Sequence, residues 1–384
     1  MNKVSKSIIN QLAEQRGTAQ LTMYMPTHKE SSLQAVSEDQ ARFKNLLRRG
    51  LEEWEQQVNP QKIAAIRKQL EEKNEDRAFW NDTSRSLAVF ASKQQVHFYH
   101  LPIESDEYIY VGDTFDVAPL QIVDELNQPY YLFTLALHNS KLFYGDMYGL
   151  APVTINFPAS PEDALNIDEM FSGSNTIRGI SVPGKGNEKF SSHGQGDSNH
   201  AGQEERLKYF RILDDTIARS PAVDSQFPIL LAATDSEASD YKAISKLSHL
   251  LPVHIQGNYT QTPLPELHKL SWATILQEVV QKKLAQHAEK FHELKGLKQA
   301  SSDMTEIKEA AAMGRVDTLL VGIVPETNDS VSETADGPLI RLQGEYRDGL
   351  RDAVQVVSSQ GGAVLGVDAS LIGTPSLAAA IYRY

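Results

Sequence analysis

Cysteine is absent from all 384 residues, which excludes disulfides, thiolate metal sites and cysteine nucleophiles. No apolar run approaches the roughly 20 residues that span a bilayer. The N-terminus, Met1-Asn2-Lys3-Val4-Ser5-Lys6, leads into a polar amphipathic segment and not into a signal-peptide core. These absences predict a cytoplasmic chain with no membrane association. Familiar catalytic strings are missing too. Gly184-Lys185-Gly186 lacks the spacing of a phosphate-binding loop, and neither a G-x-S-x-G elbow nor an H-E-x-x-H helix occurs. His287 and His292 are five apart on one helical segment and share no face well enough to chelate a metal, so neither metal nor cofactor is expected. Positive charge is also scarce. With 37 basic against 50 acidic residues the net charge is -13, which disfavours tight binding to bare phosphate backbones.

What is present is ordinary for a globular protein, at 41% hydrophobic and 23% charged residues. The length exceeds what one hydrophobic core organises, so α/β domains are expected over 1–128, 129–270 and 271–384. In the first, a helix over 4–16 precedes a strand, Leu21–Pro26, then helices over 37–58 and 60–75 with Phe43, Leu46, Leu47, Leu51 and Trp54 on one face. Strands Ser86–Ser92 and Gln95–Leu101 follow, then a loop-rich acidic stretch over 104–128. The second opens on strand-like Tyr130–Leu137 and Lys141–Tyr144, then a further apolar alternation, Val153–Phe157. After a helix near 161–171 comes a segment rich in Gly, Ser, Asn and His, 172–204. A helix over Glu204–Ser220, a buried strand Phe227–Ala233, a helix near 236–248 and a strand Val253–Ile255 complete it. This alternation argues for a parallel or mixed sheet flanked by helices. The longest helix, 265–296, leads to the third domain: helix 303–313, strand Thr318–Val324, an acidic insertion over 326–337, helix 342–358, strand Gly362–Val367 and closing residues Ala380–Tyr384.

The glycine-rich segment holds the candidate chemistry. In Ser191-Ser192-His193-Gly194-Gln195-Gly196-Asp197, glycines on both sides of Gln195 remove bulk and admit a substrate close to the backbone. A neutral amide is no general base, but it can position water and hydrogen-bond a polarised carbonyl while a backbone N–H steadies oxyanion charge. Gly194, Gln195, Gly196 and an assisting His193 are the catalytic candidates. The same residues also describe a glycine-rich surface loop with an incidental glutamine. Arg178, Lys185, Lys189, Arg206 and Arg211 make this region mildly basic inside an acidic chain and are candidate RNA contacts. Arg42, Lys44, Arg48 and Arg49 form a second basic face, read as solvated or as an RNA contact.

The string Ala310-Ala311-Ala312-Met313-Gly314-Arg315-Val316-Asp317-Thr318-Leu319-Leu320-Val321 resembles the start of the third domain of archaeal and eukaryotic class-1 release factors and their ribosome-rescue relatives. Val356–Val367 with Gly361-Gly362, and then Ile381–Tyr384, resemble that domain's later helix, strand and closing segment. The middle region is similar in element order to the catalytic domain of that family: hairpin, long glycine-rich loop, then a helix bearing Tyr209-Phe210-Arg211. The first domain shows no codon-reading motif. Leu21–Thr27 followed by Arg42, Lys44, Asn45 and Leu46 looks like the bacterial branch of the superfamily. The resemblance implies a ribonuclease-H-like middle domain, an α/β sandwich at the C-terminus, the ribosome and peptidyl-tRNA as partners, and a Gly-Gly-Gln loop promoting peptidyl-tRNA ester hydrolysis. His193-Gly194-Gln195-Gly196 keeps Gly-Gln with histidine for the first glycine. Ala201-Gly202-Gln203 is the alternative, with alanine there. Neither string is a full match to the motif, and Gln195 is the preferred counterpart.

Overall fold

The computed structural model describes residues 3–28, 32–81, 84–164, 197–325, 340–342, 347–373 and 377–384. Two compact units result, one of residues 129–275 and one combining 1–128 with 276–384. The segments expected as first and last domains thus share a unit.

That larger unit holds two sheets. The first is built from β1 (Gln20–Pro26), β2 (Ser86–Ala91), β3 (Val96–Leu101) and β5 (Tyr108–Gly112), in the order β3-β2-β1-β5 and antiparallel throughout. It is packed by α2 (Leu33–Glu55), α3 (Pro60–Asn74) and α4 (Arg77–Asn81), with a short α1 (Lys6–Glu14) ahead of β1. Period-2 and period-3.6 patterns meet in one core, where Leu21, Met23 and Met25 of β1 join Phe43, Leu47, Trp54 and Trp80. Gly50 lets α2 lie close on β1, since a Cβ there would sit 3.0 Å from the Met23 sulfur. The stretch over 104–128, expected as loop, instead contributes the two-residue β4 (Glu104–Ser105), β5 and α5 (Ala118–Leu126). The second sheet runs β11-β15-β12-β13-β4, with β14 also on β12. Its strands are β11 (Ala300–Ser301), β12 (Val316–Pro325), β13 (Ile340–Leu342), β14 (Ala363–Asp368) and β15 (Ala378–Tyr382). Because β4 pairs in parallel with β13, this sheet draws on both ends of the chain.

The 129–275 unit contains one five-stranded sheet in the order β10-β9-β6-β7-β8. β6 (Tyr130–Thr134), β7 (Lys141–Asp146) and β8 (Gly149–Pro152) form an antiparallel meander, while β9 (Ile229–Ala233) and β10 (Leu250–Gln256) add in parallel beside β6. Val153–Phe157, expected as a strand, is not one. Val153 donates its backbone N–H to Leu142 of β7 at 2.9 Å without extending the strand, and Val153, Ile155 and Phe157 pack partly on the core. Helix α6 (Asp197–Arg219) begins seven residues before the expected Glu204, and α7 (Asp235–Ile244) links β9 to β10. A Thr234–Glu237 capping box starts α7, two orphan helix donors being satisfied reciprocally.

The long helix is interrupted. α8 (Leu264–Ile275) passes through a π-helical turn, Leu276–Gln281, into α9 (Lys282–Gly296), and the unit boundary falls at that turn. The rest comprises α10 (Met304–Ala312), α11 (Arg347–Ser359) and the one-turn α12 (Ala369–Ile372). Gly314 takes φ +70° after α10, with its N–H on Ala311 and that of Arg315 on Ala310, the paired bonds of a Schellman end. No helix among the described residues is long and apolar enough to cross a membrane.

Candidate functional site

The sequence points to the approach to α6. His193, Gly194, Gln195 and Gly196, and with them Arg178, Lys185 and Lys189, lie outside the described residues. The helix that follows them is defined, so the site is built from its frame. Along α6, Tyr209, Phe210, Leu213 and Ile217 are buried against β6 and β9, a stripe at helical spacing that fixes the helix on the sheet. The Tyr209 hydroxyl donates to the Pro158 carbonyl at 3.0 Å, tying α6 to the segment after the meander. The aromatic pair of Tyr209-Phe210-Arg211 is therefore core, and Arg211 is exposed.

The two candidate cations that are described differ. Arg211 faces solvent. Arg206 is half-buried and forms an ion pair with Asp240 of α7, which engages its guanidinium in holding two helices together. Gln203 is exposed, but its backbone belongs to α6, so Ala201-Gly202-Gln203 is a piece of helix and not a glycine loop. The second basic face is largely neutralised: Arg42 and Arg49 reach Glu107 at 3.6 and 3.5 Å, and Arg48 reaches Glu52 at 2.9 Å.

On α6 itself sits a buried carboxylate, Asp214. Asp214 is 2% exposed. It accepts from the Tyr241 hydroxyl at 2.8 Å, the Ser245 hydroxyl at 2.5 Å and the Lys246 N–H at 2.9 Å. Burial, and then the facing Asp214 carboxylate, push the Tyr241 phenol well above its ordinary value, so it stays a donor. With its acceptors filled by donors of the same chain, Asp214 clasps the end of α7 and has no role as a free base. One signal was readable: an aspartate inside the apolar stripe Phe210–Ile217.

A further cluster lies past the ends of the parallel strands. Asp235 accepts from His254 Nε2 at 3.0 Å and from Gln256 Nε2 at 2.6 Å, while Lys242 Nζ donates to His254 Nδ1 at 3.1 Å. Burial lowers the Lys242 pKa. Both ring nitrogens of His254 are engaged, so it could accept a substrate proton only by giving up a partner. Among the described residues no group of three or more His, Asp or Glu side chains is arranged to hold a metal ion.

Residues 129–315 match the model of bacterial archaeo-eukaryotic release factor family 3, a span covering all of the middle unit and running into the β12 strand's threshold. No curated protein matches the chain. Among solved structures, the archaeal translation termination factor aRF1 aligns at 14% identity over 98% of this chain and 96% of that one, with a TM-score of 0.24. S. cerevisiae Dom34, described as a translation termination-like factor, aligns at 10% identity over 78% and 75%, with a TM-score of 0.37. Archaeoglobus fulgidus Pelota aligns at 10% identity over 78% and 79%, with a TM-score of 0.30. The 129–315 match thus assigns this region of the chain to the bacterial archaeo-eukaryotic release factors.

Proposed function

We propose that this chain is a ribosome-associated release or rescue factor that hydrolyses the peptidyl-tRNA ester through Gln195. The observation that carries the reading is placement: the Gly194-Gln195-Gly196 string directly precedes α6 inside the family-matched span, and α6 is anchored on the sheet by Tyr209 and Phe210. The order β8-β7-β6-β9-β10, a meander extended by two parallel strands, supports reading the middle unit as ribonuclease-H-like. In this reading the Gln195 amide orients the attacking water and accepts one of its protons in a hydrogen bond. Backbone N–H groups beside the two glycines meet the oxyanion that develops on the ester carbonyl. Arg211 and the cations outside the described residues contact tRNA phosphates, while the acidic remainder of the chain leaves most of the affinity to the ribosome.

Replacement of the motif's first glycine by His193 favours a second reading, occupancy of the ribosome without hydrolysis. One experiment separates them. Purified protein added to stalled ribosomes should co-sediment with them and release peptide. Gln195→Ala should lower release roughly 100-fold, the scale of losing one transition-state hydrogen-bonding group, with co-sedimentation retained. Gln203→Ala should leave release unchanged. Co-sedimentation with no release establishes the binding reading, and absence from every ribosomal fraction removes both.

A further inference from the structure

The larger unit contains a cavity of about 460 Å³ that none of the release chemistry uses. Its walls come from three elements: Lys6 and Asn10 of α1, Gln121, Asp124 and Glu125 of α5, and the link from α11 into β14, where Ser358 and Gly361 lie. Three features make it acceptor-rich. First, Lys6 is the one cation among the lining residues and is already committed, its ammonium 3.2 Å from Glu125, so Asp124 remains as excess negative charge. Second, Gln121 is only 7% exposed and its Oε1 has no hydrogen-bond partner. A buried acceptor left unpaired costs about 1–3 kcal/mol, and such a group in a native fold calls for an explanation. Gln121 is itself one of the residues that line the cavity. Third, two helices end at this wall. Gln121, Asp124 and Glu125 occupy the last turns of α5, and α11 closes in a Schellman arrangement at Gly361, φ +74°, so both negative helix poles lie at the cavity.

We propose that this cavity binds a small aliphatic polyamine, whose ammonium groups donate to Asp124 and Gln121. The volume lies in the range of small-molecule sites and far exceeds a single ion. A divalent cation is further disfavoured because no group of three or more suitable ligands occurs among the described residues. An amine supplies what the walls lack, namely donors and positive charge. Burial raises the Asp124 pKa, and Lys6 opposes that shift, as expected for a carboxylate an incoming cation would hold ionised. The site is independent of the Gln195 reading and stands or falls separately.

The test is calorimetric titration of the full chain with spermidine at physiological ionic strength. Saturable one-site binding is expected. Asp124→Asn should weaken it by about tenfold, equivalent to 1.4 kcal/mol, and Lys6→Met, which removes a like charge at an exposed position, should tighten it severalfold. Gln121→Met offers a second readout: with the orphan acceptor gone, the unliganded chain should melt higher while spermidine binds more weakly. Glu71→Gln on α3, an exposed charge far along the sequence from this wall, controls for diffuse attraction by the acidic surface. No saturable heat, or equal weakening by Asp124→Asn and Glu71→Gln, overturns the proposal.

Discussion

The antiparallel sheet near the N-terminus and the mixed sheet of the 129–275 unit close their cores by different chemistry. In the first, closure is aromatic. Trp80 lies between Phe43 and Phe79, with ring centroids 5.5 and 5.1 Å away, and the only polar atoms the two buried tryptophans bring inside donate to chain carbonyls, Trp54 to Ala19 at 2.7 Å and Trp80 to Asn74 at 3.0 Å. In the second, an apolar stripe on α6 is interrupted by Asp214, whose oxygens collect three donors from Tyr241, Ser245 and Lys246. An aromatic core loses volume when mutated. A buried carboxylate loses its partners' satisfaction, and those partners sit at the end of α7. The lesson is that the 129–275 unit takes its definition from polar specificity as much as from packing.

The largest effect should follow removal of volume. Trp80→Ala should destabilise the larger unit by about 3–5 kcal/mol through the cavity it leaves. Native-state hydrogen exchange should show this as loss of protection in β1 and β2. Protection in β1 and β2 at the wild-type level would mean that the helical layer, and not the indole, holds this sheet.

Asp214→Ala should come next. It leaves the Tyr241 and Ser245 hydroxyls and the Lys246 N–H without their acceptor in a buried setting, and we expect a loss of about 3 kcal/mol confined to β9 and β10 in exchange. Tyr241→Phe should recover most of that stability relative to Asp214→Ala, since it removes a single neutral donor, for about 1 kcal/mol. If Asp214→Ala and Tyr241→Phe were equal, the carboxylate would hold the tyrosine alone and the three-donor clasp would be wrong.

How much of this the sequence displays depends on whether a feature is local. Helices with an apolar face and the hairpins β2–β3 and β6–β7 are legible because periodicity is a property of neighbours in the chain. Val153–Phe157 misleads because alternation reports which face is buried and not which backbone is paired. Val153, Ile155 and Phe157 do turn toward the core, yet the ladder continues through β8 instead. β5 is missed because acidic neighbours, Asp106, Glu107 and Asp113, mask a run that pairs with β1 some ninety residues away. The site divides in the same way. Gln195 and its glycines are visible as a string, but Asp214 gains meaning only from partners 27 to 32 positions on, and Gln121 only from a wall assembled from both ends of the chain. Spacing does not reveal such meetings.

The smallest effect sharpens the comparison through pH. His249 precedes β10, and both of its ring nitrogens are buried without a partner. Burial lowers its pKa from the ordinary 6.5, against the weaker upward pull of Asp214 and Asp224. In the window between that lowered value and 6.5, the unfolded chain binds more protons than the folded one. The contribution of His249 is therefore full above 6.5 and shrinks as pH falls through that window. His97 in the antiparallel sheet, lowered by burial alone, has the same sign, so the whole chain's slope cannot separate the two. Local readout can. His249→Phe should flatten the acid-side loss of protection in β9 and β10 and leave that of β2 and β3 as it is, whereas His97→Phe should do the reverse. Should His249→Phe leave the β9 and β10 slope untouched, burial of His249 would not be the source of that sheet's acid sensitivity.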